Sequence, residues 1–331
     1  MKSVARKLVF YVVALWAAIS LNFFLPRLMP GSPVDMVLAK MGTRGQVLPE
    51  QRRAIEIMLG TSEDEPLWRQ YIEYWAQLAR GDFGLSVSKW PTPVSDIIAQ
   101  TLPWTIGLVG LATVIAFTLG ITLGTFAGWK RGSWLDSVIP FTTLLQSIPY
   151  FWLALILLFV FAVVLRIAPI AGGFSATGFQ YGPQWSWAFI GSVVSHGILP
   201  AATIVLSSLG GWMLGMRNMM VSTLSEDYIT TAKAKGLSPR RIRWVYAARN
   251  AVLPSISGFA ISLGFVVAGS IVTEMVFSYP GIGYALYDAV TNNDYPLMQG
   301  IFLVITCAVL GANLIVDLLY SLIDPRTRAR S

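Results

Sequence analysis

The sequence predicts an all-α protein, polytopic in a membrane, with six transmembrane helices and an extracytoplasmic insertion between the first two. Three observations carry this. Of the 331 residues, 55% are hydrophobic and 12% are charged, about half the charged fraction of an ordinary soluble domain. The apolar residues gather in six runs, each at or above the roughly 20 residues that cross a bilayer as a helix. Lysine and arginine concentrate in alternate connections between the runs, the bias that sets membrane orientation.

The first run, residues 8–28, follows Lys2, Arg6 and Lys7. It ends in Phe-Phe-Leu-Pro-Arg, where a cleaved leader would carry small residues, so it reads as a retained helix. Residues 1–30 form this N-terminal element, residues 31–101 the insertion and residues 102–331 a core of five membrane helices. The insertion is too long for a plain turn. Within it Trp68, Tyr71, Ile72, Trp75 and Leu78 recur at helical spacing with Arg69, Gln70 and Glu73 between them. That pattern is an amphipathic helix, packed on its own protein or lying on the membrane face, with docking of an extracytoplasmic partner as the functional alternative. The core runs are 102–129, 138–165, 189–221, 251–276 and 297–323, interrupted by Pro140, Pro149 and Pro200. Broken membrane helices are tolerated where neighbours or water satisfy the freed carbonyls. The interruptions near Gln146, Ser147 and Pro149, and near Gly210, Gly211, Trp212 and Arg217, mark candidate walls of a pathway. Gly120, Gly124 and Gly128 form a small-residue stripe, which signifies close helix packing.

With the amino terminus inside, the inner pieces hold Lys2, Arg6 and Lys7, then Lys130 and Arg131, then Lys233, Lys235, Arg240, Arg241, Arg243 and Arg249, and finally Arg326, Arg328 and Arg330. These are fourteen of the 24 cations. The insertion balances seven cations with nine acids. Both termini are therefore expected on the cytoplasmic side. The net charge of +7 follows the positive-inside rule, so nucleic acid is not an expected partner and membrane lipid is.

Several chemistries are excluded or disfavoured. One cysteine, Cys307, and one histidine, His196, occur in the chain; they leave no intrachain disulfide, no cysteine-based metal site and no histidine pair. No metal or cofactor is expected on this chain, and no catalytic residue is assigned. His196 reads as a satisfied helix-end histidine. An intramembrane enzyme, the alternative of another class, would need a nucleophile–base pair or metal cluster in the bilayer. No Gly-x-x-x-x-Gly-Lys-[Ser/Thr] phosphate loop occurs, so the chain is not itself an ATPase. Glu274, Asp317 and Arg217 are the main charges in the apolar runs. They lie near helix ends, where interfacial or bundle-packing roles are expected, and a proton-coupled carrier would want acids near midplane.

The inner loop at 225–254 is the most informative segment. Ser225 is placed to cap a helix, Glu226 and Asp227 suit its first turn, and Lys233 and Lys235 its last. Gly236 supplies a left-handed terminus. Ser238 then caps a second helix with Pro239 at its first position. Thr230, Thr231, Ala232 and Ala234 are small enough for close approach to another protein. The residues alone leave two readings open, a docking element and an ordinary basic loop.

Here the chain resembles a known family. Asp227-Tyr-Ile-Thr-Thr-Ala-Lys-Ala-Lys-Gly-Leu-Ser, followed by Arg249-Asn-Ala-Val-Leu-Pro254, is similar to the coupling loop of the dipeptide/oligopeptide/nickel permeases of bacterial ABC importers. Ala232 and Gly236 match the general Glu-Ala-Ala-x-x-x-Gly motif, while Thr230 stands at the glutamate and Thr231 at the first alanine. Pro30-Gly-Ser-Pro, Gly81-Asp-Phe-Gly-Leu-Ser86, Thr273-Glu-Met-Val-Phe-Ser-Tyr-Pro-Gly-Ile-Gly283 and Asp324-Pro-Arg326 resemble further family elements, in order along nearly the whole chain. The resemblance implies that Asp227, Tyr228, Thr230, Thr231, Ala232, Ala234, Gly236 and Leu237 dock an ATPase. It implies a second, similar permease, two ATPase subunits carrying ATP and Mg, an extracytoplasmic binding protein and a bacterial or archaeal cell membrane. Di- or oligopeptides are the expected cargo, with oligosaccharides (Trp185, Trp187 and Trp212 suit sugar faces) and nickel as alternatives.

Overall fold

The structure is a computed structural model and describes residues 2–28, 38, 53, 66–179, 183, 186–266 and 271–323. Pro30-Gly-Ser-Pro, most of 31–65, Trp185, the Asp317 side chain and Asp324-Pro-Arg326 fall outside the described residues. Among the described residues the regular structure is helical, and the only β-pairing is an isolated bridge between Leu85 and Pro93. The helices are α1 (Lys2–Leu28), α2 (Leu67–Ala79), α3 (Val94–Trp129), α4 (Trp134–Ser147), α5 (Tyr150–Val164), α6 (Trp187–Leu224), α7 (Asp227–Ala234), α8 (residues 239–251), α9 (Leu253–Phe265), α10 (Ile271–Val276), α11 (Ile282–Thr291) and α12 (Tyr295–Ile323). They fall into two compact units, Met1–Trp104 with Pro280–Ser331, and Thr105–Tyr279.

Among the described residues four helices are long and apolar enough to cross a bilayer, or five if the bent pair is one span. The predicted run 251–276 is present as α9, too short to cross alone, and α10. The predicted run 138–165 is the bent pair, with 102° between α4 and α5. The break has a local cause. The ring of Pro149 drives the preceding residue out of the helical region, and Ile148 is extended at φ −71°, ψ 129°. Pro140 and Pro200 instead lie inside α4 and α6 without ending them, so of the three predicted interruptions one breaks the helix.

In the first unit α1 packs on α12. Their polar link is reciprocal: the Asn22 amide donates to the Gln299 carbonyl at 2.8 Å, and the Gln299 amide donates to the Asn22 carbonyl at 3.0 Å. The amphipathic helix is α2. Tyr71 and Tyr74 pack their rings against the buried Phe23 of α1, and the Tyr71 hydroxyl meets Ser20 Oγ at 2.6 Å. Asp294, fully buried, accepts from Ser86 Oγ, from the Ser88 amide and Oγ at 2.7 Å each, and from the Leu297 amide at 3.2 Å. It thereby ties the 86–88 turn to the first turn of α12, where the helix dipole favours a carboxylate.

In the second unit α3 lies against α6 through the glycine stripe. A Cβ on Gly120, Gly124 or Gly128 would stand 2.4, 2.5 and 2.5 Å from Trp212 Cβ, the Met213 carbonyl and Met220 Cβ. Gly210 does the same for α4, 2.5 Å from the Thr142 carbonyl. Backbones this close require glycine, and they fix α3, α4 and α6 as one packed body.

Candidate functional site

The 225–254 segment is built by local capping chemistry. Gly236 has φ +71°. Its amide donates to the Lys233 carbonyl at 2.9 Å and the Leu237 amide to the Ala232 carbonyl at 3.3 Å, the paired bonds of a glycine-terminated helix. Ser238 Oγ accepts from the Arg241 amide at 3.4 Å, with Pro239 at the first helical position. Ser225 does not cap α7. It closes α6, its Oγ donating to the Ser222 carbonyl at 2.6 Å, and extended Glu226 takes the cap position. The hydroxyl is engaged by the C-terminal carbonyls of the longer helix before it.

One face of α7 points into its own chain. Ile229 and Ala232 are buried among Met216 and Met220 of α6 and Ile242, Ala247, Ala248 and Ala251 of α8. Asp227, Tyr228, Thr230, Thr231, Ala234 and Gly236 face outward and Leu237 is half-buried. Of the eight residues expected to dock a partner, Ala232 thus makes its close approach within this chain. Asn250 Nδ2 donates to Tyr228 Oη at 3.0 Å. The Arg243 guanidinium lies 4.6 Å from the Phe126 ring centroid, and Trp244 meets the same ring edge-on at 5.7 Å. Aromatic and cation–π contacts of this kind clamp α8 to the end of α3.

The second unit also holds a cavity of about 820 Å³. Its polar lining comes from Thr113 on α3, Gln146 on α4, Tyr150 on α5, Ser207 and Ser208 on α6 and Ser262 on α9. Its apolar lining includes Val109, Ile204, Trp212, Phe265 and Val266. No formally charged residue lines it among those described. Trp212 packs edge-on to Phe117 at 5.2 Å, and Phe117 stacks on Phe259 at 4.2 Å.

The four candidate pathway residues divide. Gln146 and Trp212 line the cavity, and Gln146 lies against Gly211, where a Cβ would meet its amide at 3.2 Å. Pro149 makes the bend that brings Tyr150 to the wall. Arg217 is not on the wall; its Nε donates to Asp136 at 3.0 Å. Glu274 is fully buried and accepts from Thr105 Oγ1 at 2.7 Å. His196 Nδ1 lies 2.8 Å from the Ser192 carbonyl, a bond within its own helix. Sequence reasoning missed the serines of the wall. Their only signal is polarity inside apolar runs, and Ser207, Ser208 and Ser262 also bond to carbonyls of their own helices, as structural serines do.

Residues 120–329 match the family described as the inner membrane component of binding-protein-dependent transport systems. A di/tripeptide transport system permease protein of Pseudomonas aeruginosa is 36% identical over 337 residues, covering 98% of both chains. A dipeptide transport system permease protein of Escherichia coli is 35% identical over 322 residues, covering 93% of both. An oligopeptide transport system permease protein of Bacillus subtilis is 31% identical, covering 92% of both.

Proposed function

This chain belongs to the family of inner membrane components of binding-protein-dependent transport systems, and we propose on that premise that it forms half of the translocation pathway of an ATP-driven peptide importer. It is a membrane transport component. The cargo reading follows the relatives, whose names specify di-, tri- and oligopeptides. The cavity agrees with it: an uncharged wall carrying hydroxyls and one carboxamide offers hydrogen bonds to peptide backbone without selecting side-chain charge.

The observation that carries the mechanism is the two-faced helix α7. Its inner face is fused to α6, the helix that also carries Ser208 and Trp212 on the cavity wall. Its outer face is left to a partner. In our reading that partner is one of two ATPase subunits, which hold ATP and Mg, and a second similar permease completes the pathway. An extracytoplasmic binding protein delivers cargo. Six spans, an outer insertion and both termini on the cytoplasmic side complete the topology. ATP binding favours the state in which the two ATPases approach each other, and hydrolysis removes that preference; differential affinity of this kind is what drives a cycle. The exposed residues of 225–237 transmit the movement and the chain itself performs no hydrolysis.

The test is ATP-dependent uptake into proteoliposomes holding this chain with its partner permease, ATPases and binding protein. Labelled dipeptide is expected to accumulate and unlabelled tripeptide to compete. Accumulation of cello-oligosaccharide in place of peptide would reassign the cargo, and uptake without ATP would overturn the importer reading.

A further inference from the structure

We propose that Phe117, Trp212 and Phe259 form this chain's share of a gate closing the cavity on the side of the 225–254 segment, and that α9 is the element that opens it. The inference rests on the reading of the chain as a peptide permease and adds the gate to it.

The position of the aromatic layer follows from residue order on three helices. On α3, Val109 and Thr113 line the cavity, and Phe117 lies one turn nearer the end clamped to α8. On α6, Ile204, Ser207, Ser208 and Gly211 precede Trp212, and α7 begins after Leu224. On α9, which runs the other way, Phe259 comes first and Ser262, Phe265 and Val266 follow. In every case the cavity lies on one side of the aromatic residue and the coupling segment on the other. Edge-on contact at 5.2 Å and stacking at 4.2 Å join the three rings.

Two of the rings belong to one rigid body. Gly120 puts the α3 backbone against Trp212 itself, and Gly124 and Gly128 continue the interlock for two further turns. Phe117 cannot leave Trp212 without parting those backbones. Helices α7 and α8 are fused to the same body through Ile229, Ala232, Ile242 and the Arg243–Phe126 contact. Helix α9 is joined differently. The helical path continues through Val252, whose amide donates to the Ala248 carbonyl and whose carbonyl accepts from the Ile256 amide, each at 3.0 Å, but Pro254 has no amide hydrogen to bond back to the preceding turn, and a helix that loses a bond at proline bends there most readily. It meets the rigid pair through a ring face and through Gly258, where a Cβ would lie 3.5 Å from the Trp212 ring edge. That is ordinary contact, which permits sliding. When a partner tilts the coupling segment, the body carrying Phe117 and Trp212 moves with it, and Phe259 separates across the Pro254 joint.

The experiment uses the reconstituted complex in a Cys307→Ser background. Phe117→Cys with Phe259→Cys is compared with Phe117→Cys with Trp212→Cys, each bridged by a short cleavable bifunctional thiol reagent, with labelled alanyl-alanine as cargo. With each variant before bridging as its own reference, bridging the first pair is expected to cut uptake about tenfold, reversibly on cleavage, and bridging the second to change it by no more than about twofold, since only one pair separates in the cycle. Arrest by both bridges, or by neither, would overturn the assignment. If a double cysteine variant transports nothing before bridging, passive leak decides. Phe259→Ala is expected to raise ATP-independent efflux of alanyl-alanine several-fold by leaving the closed state unsealed, and efflux at the unsubstituted rate would overturn the gate. Absence of peptide uptake by the unsubstituted complex would instead refute the cargo reading.

Discussion

Gly124→Ala tests the packing of α3 on α6, on which both the proposed coupling and the proposed gate rest. The added Cβ would stand 2.5 Å from the Met213 carbonyl and 2.9 Å from Met216 Cβ. Neither neighbour is the far end of a flexible side chain, so α3 and α6 must part by roughly 0.9 Å to restore ordinary contact, the strained outcome of small-to-large substitution. A gap of that size forfeits about a quarter to a half of each neighbouring dispersion contact, so the loss spreads to Gly120 and Gly128. Overpacking of this kind costs about 1–3 kcal/mol. Against it stands the gain from replacing a helical glycine with alanine, about 1 kcal/mol. Clash and gain are separated by a control, Gly215→Ala on α6, where nothing lies within 4 Å of the new Cβ. The assay is thermal unfolding of the detergent-solubilised chain. Gly215→Ala is expected to melt at or above the unsubstituted chain, and Gly124→Ala below Gly215→Ala, with about 1–3 kcal/mol between the two variants because the alanine gain is common to both. Equal melting of the two would show that the glycine interlock does not hold these helices.

Two further predictions concern charges. Arg217→Met and Asp136→Asn are each expected to cost about 1 kcal/mol, because the pair is partly solvent-exposed and such pairs are worth little more. A double-mutant cycle should recover that coupling, while peptide uptake persists in the single variants, since Arg217 does not line the cavity. Asp294→Asn is expected to cost about 2–3 kcal/mol, since an amide presents donors to some of the four donors that converge on the buried carboxylate; faster proteolysis of the 86–92 turn would report it, and an unchanged rate would refute the buried-hub reading.

The sequence made the segment 225–254 legible because capping is local chemistry. Gly236, Ser238 and Pro239 take the conformations their side chains dictate. Ser225 misleads because two helix ends compete for one hydroxyl and the longer helix holds it. Pro149 and Pro140 look alike in sequence, yet the residue before Pro149 turns extended while Pro140 stays inside its helix. The glycine stripe announces close packing but not its partner; Met213, Met216 and Met220 lie about ninety residues away, and such pairing is tertiary. Ile229 with Ala232 is an i, i+3 apolar pair that marks the inward face of α7, a signal hidden by the small residues on both sides. The cavity was least legible, because its polar lining is one or two residues from each of five helices.

If the outward face of 225–237 couples a partner's ATP hydrolysis to movement of cargo, altering that face changes the number of peptides taken up per ATP hydrolysed. Gly236 is the place to perturb. Its Cβ position is open to 4 Å within the chain, and its φ of +71° limits the strain of a substitution to about 1–2 kcal/mol, least for asparagine. Gly236→Asn and Gly236→Trp both place a side chain at this positive φ, and they differ chiefly in bulk on the exposed face. Peptide per ATP is expected near the unsubstituted value for Gly236→Asn and reduced about tenfold, equivalent to about 1.4 kcal/mol of lost coupling, for Gly236→Trp in assembled complexes that still hydrolyse ATP. An unchanged ratio in Gly236→Trp would contradict the coupling role of that face.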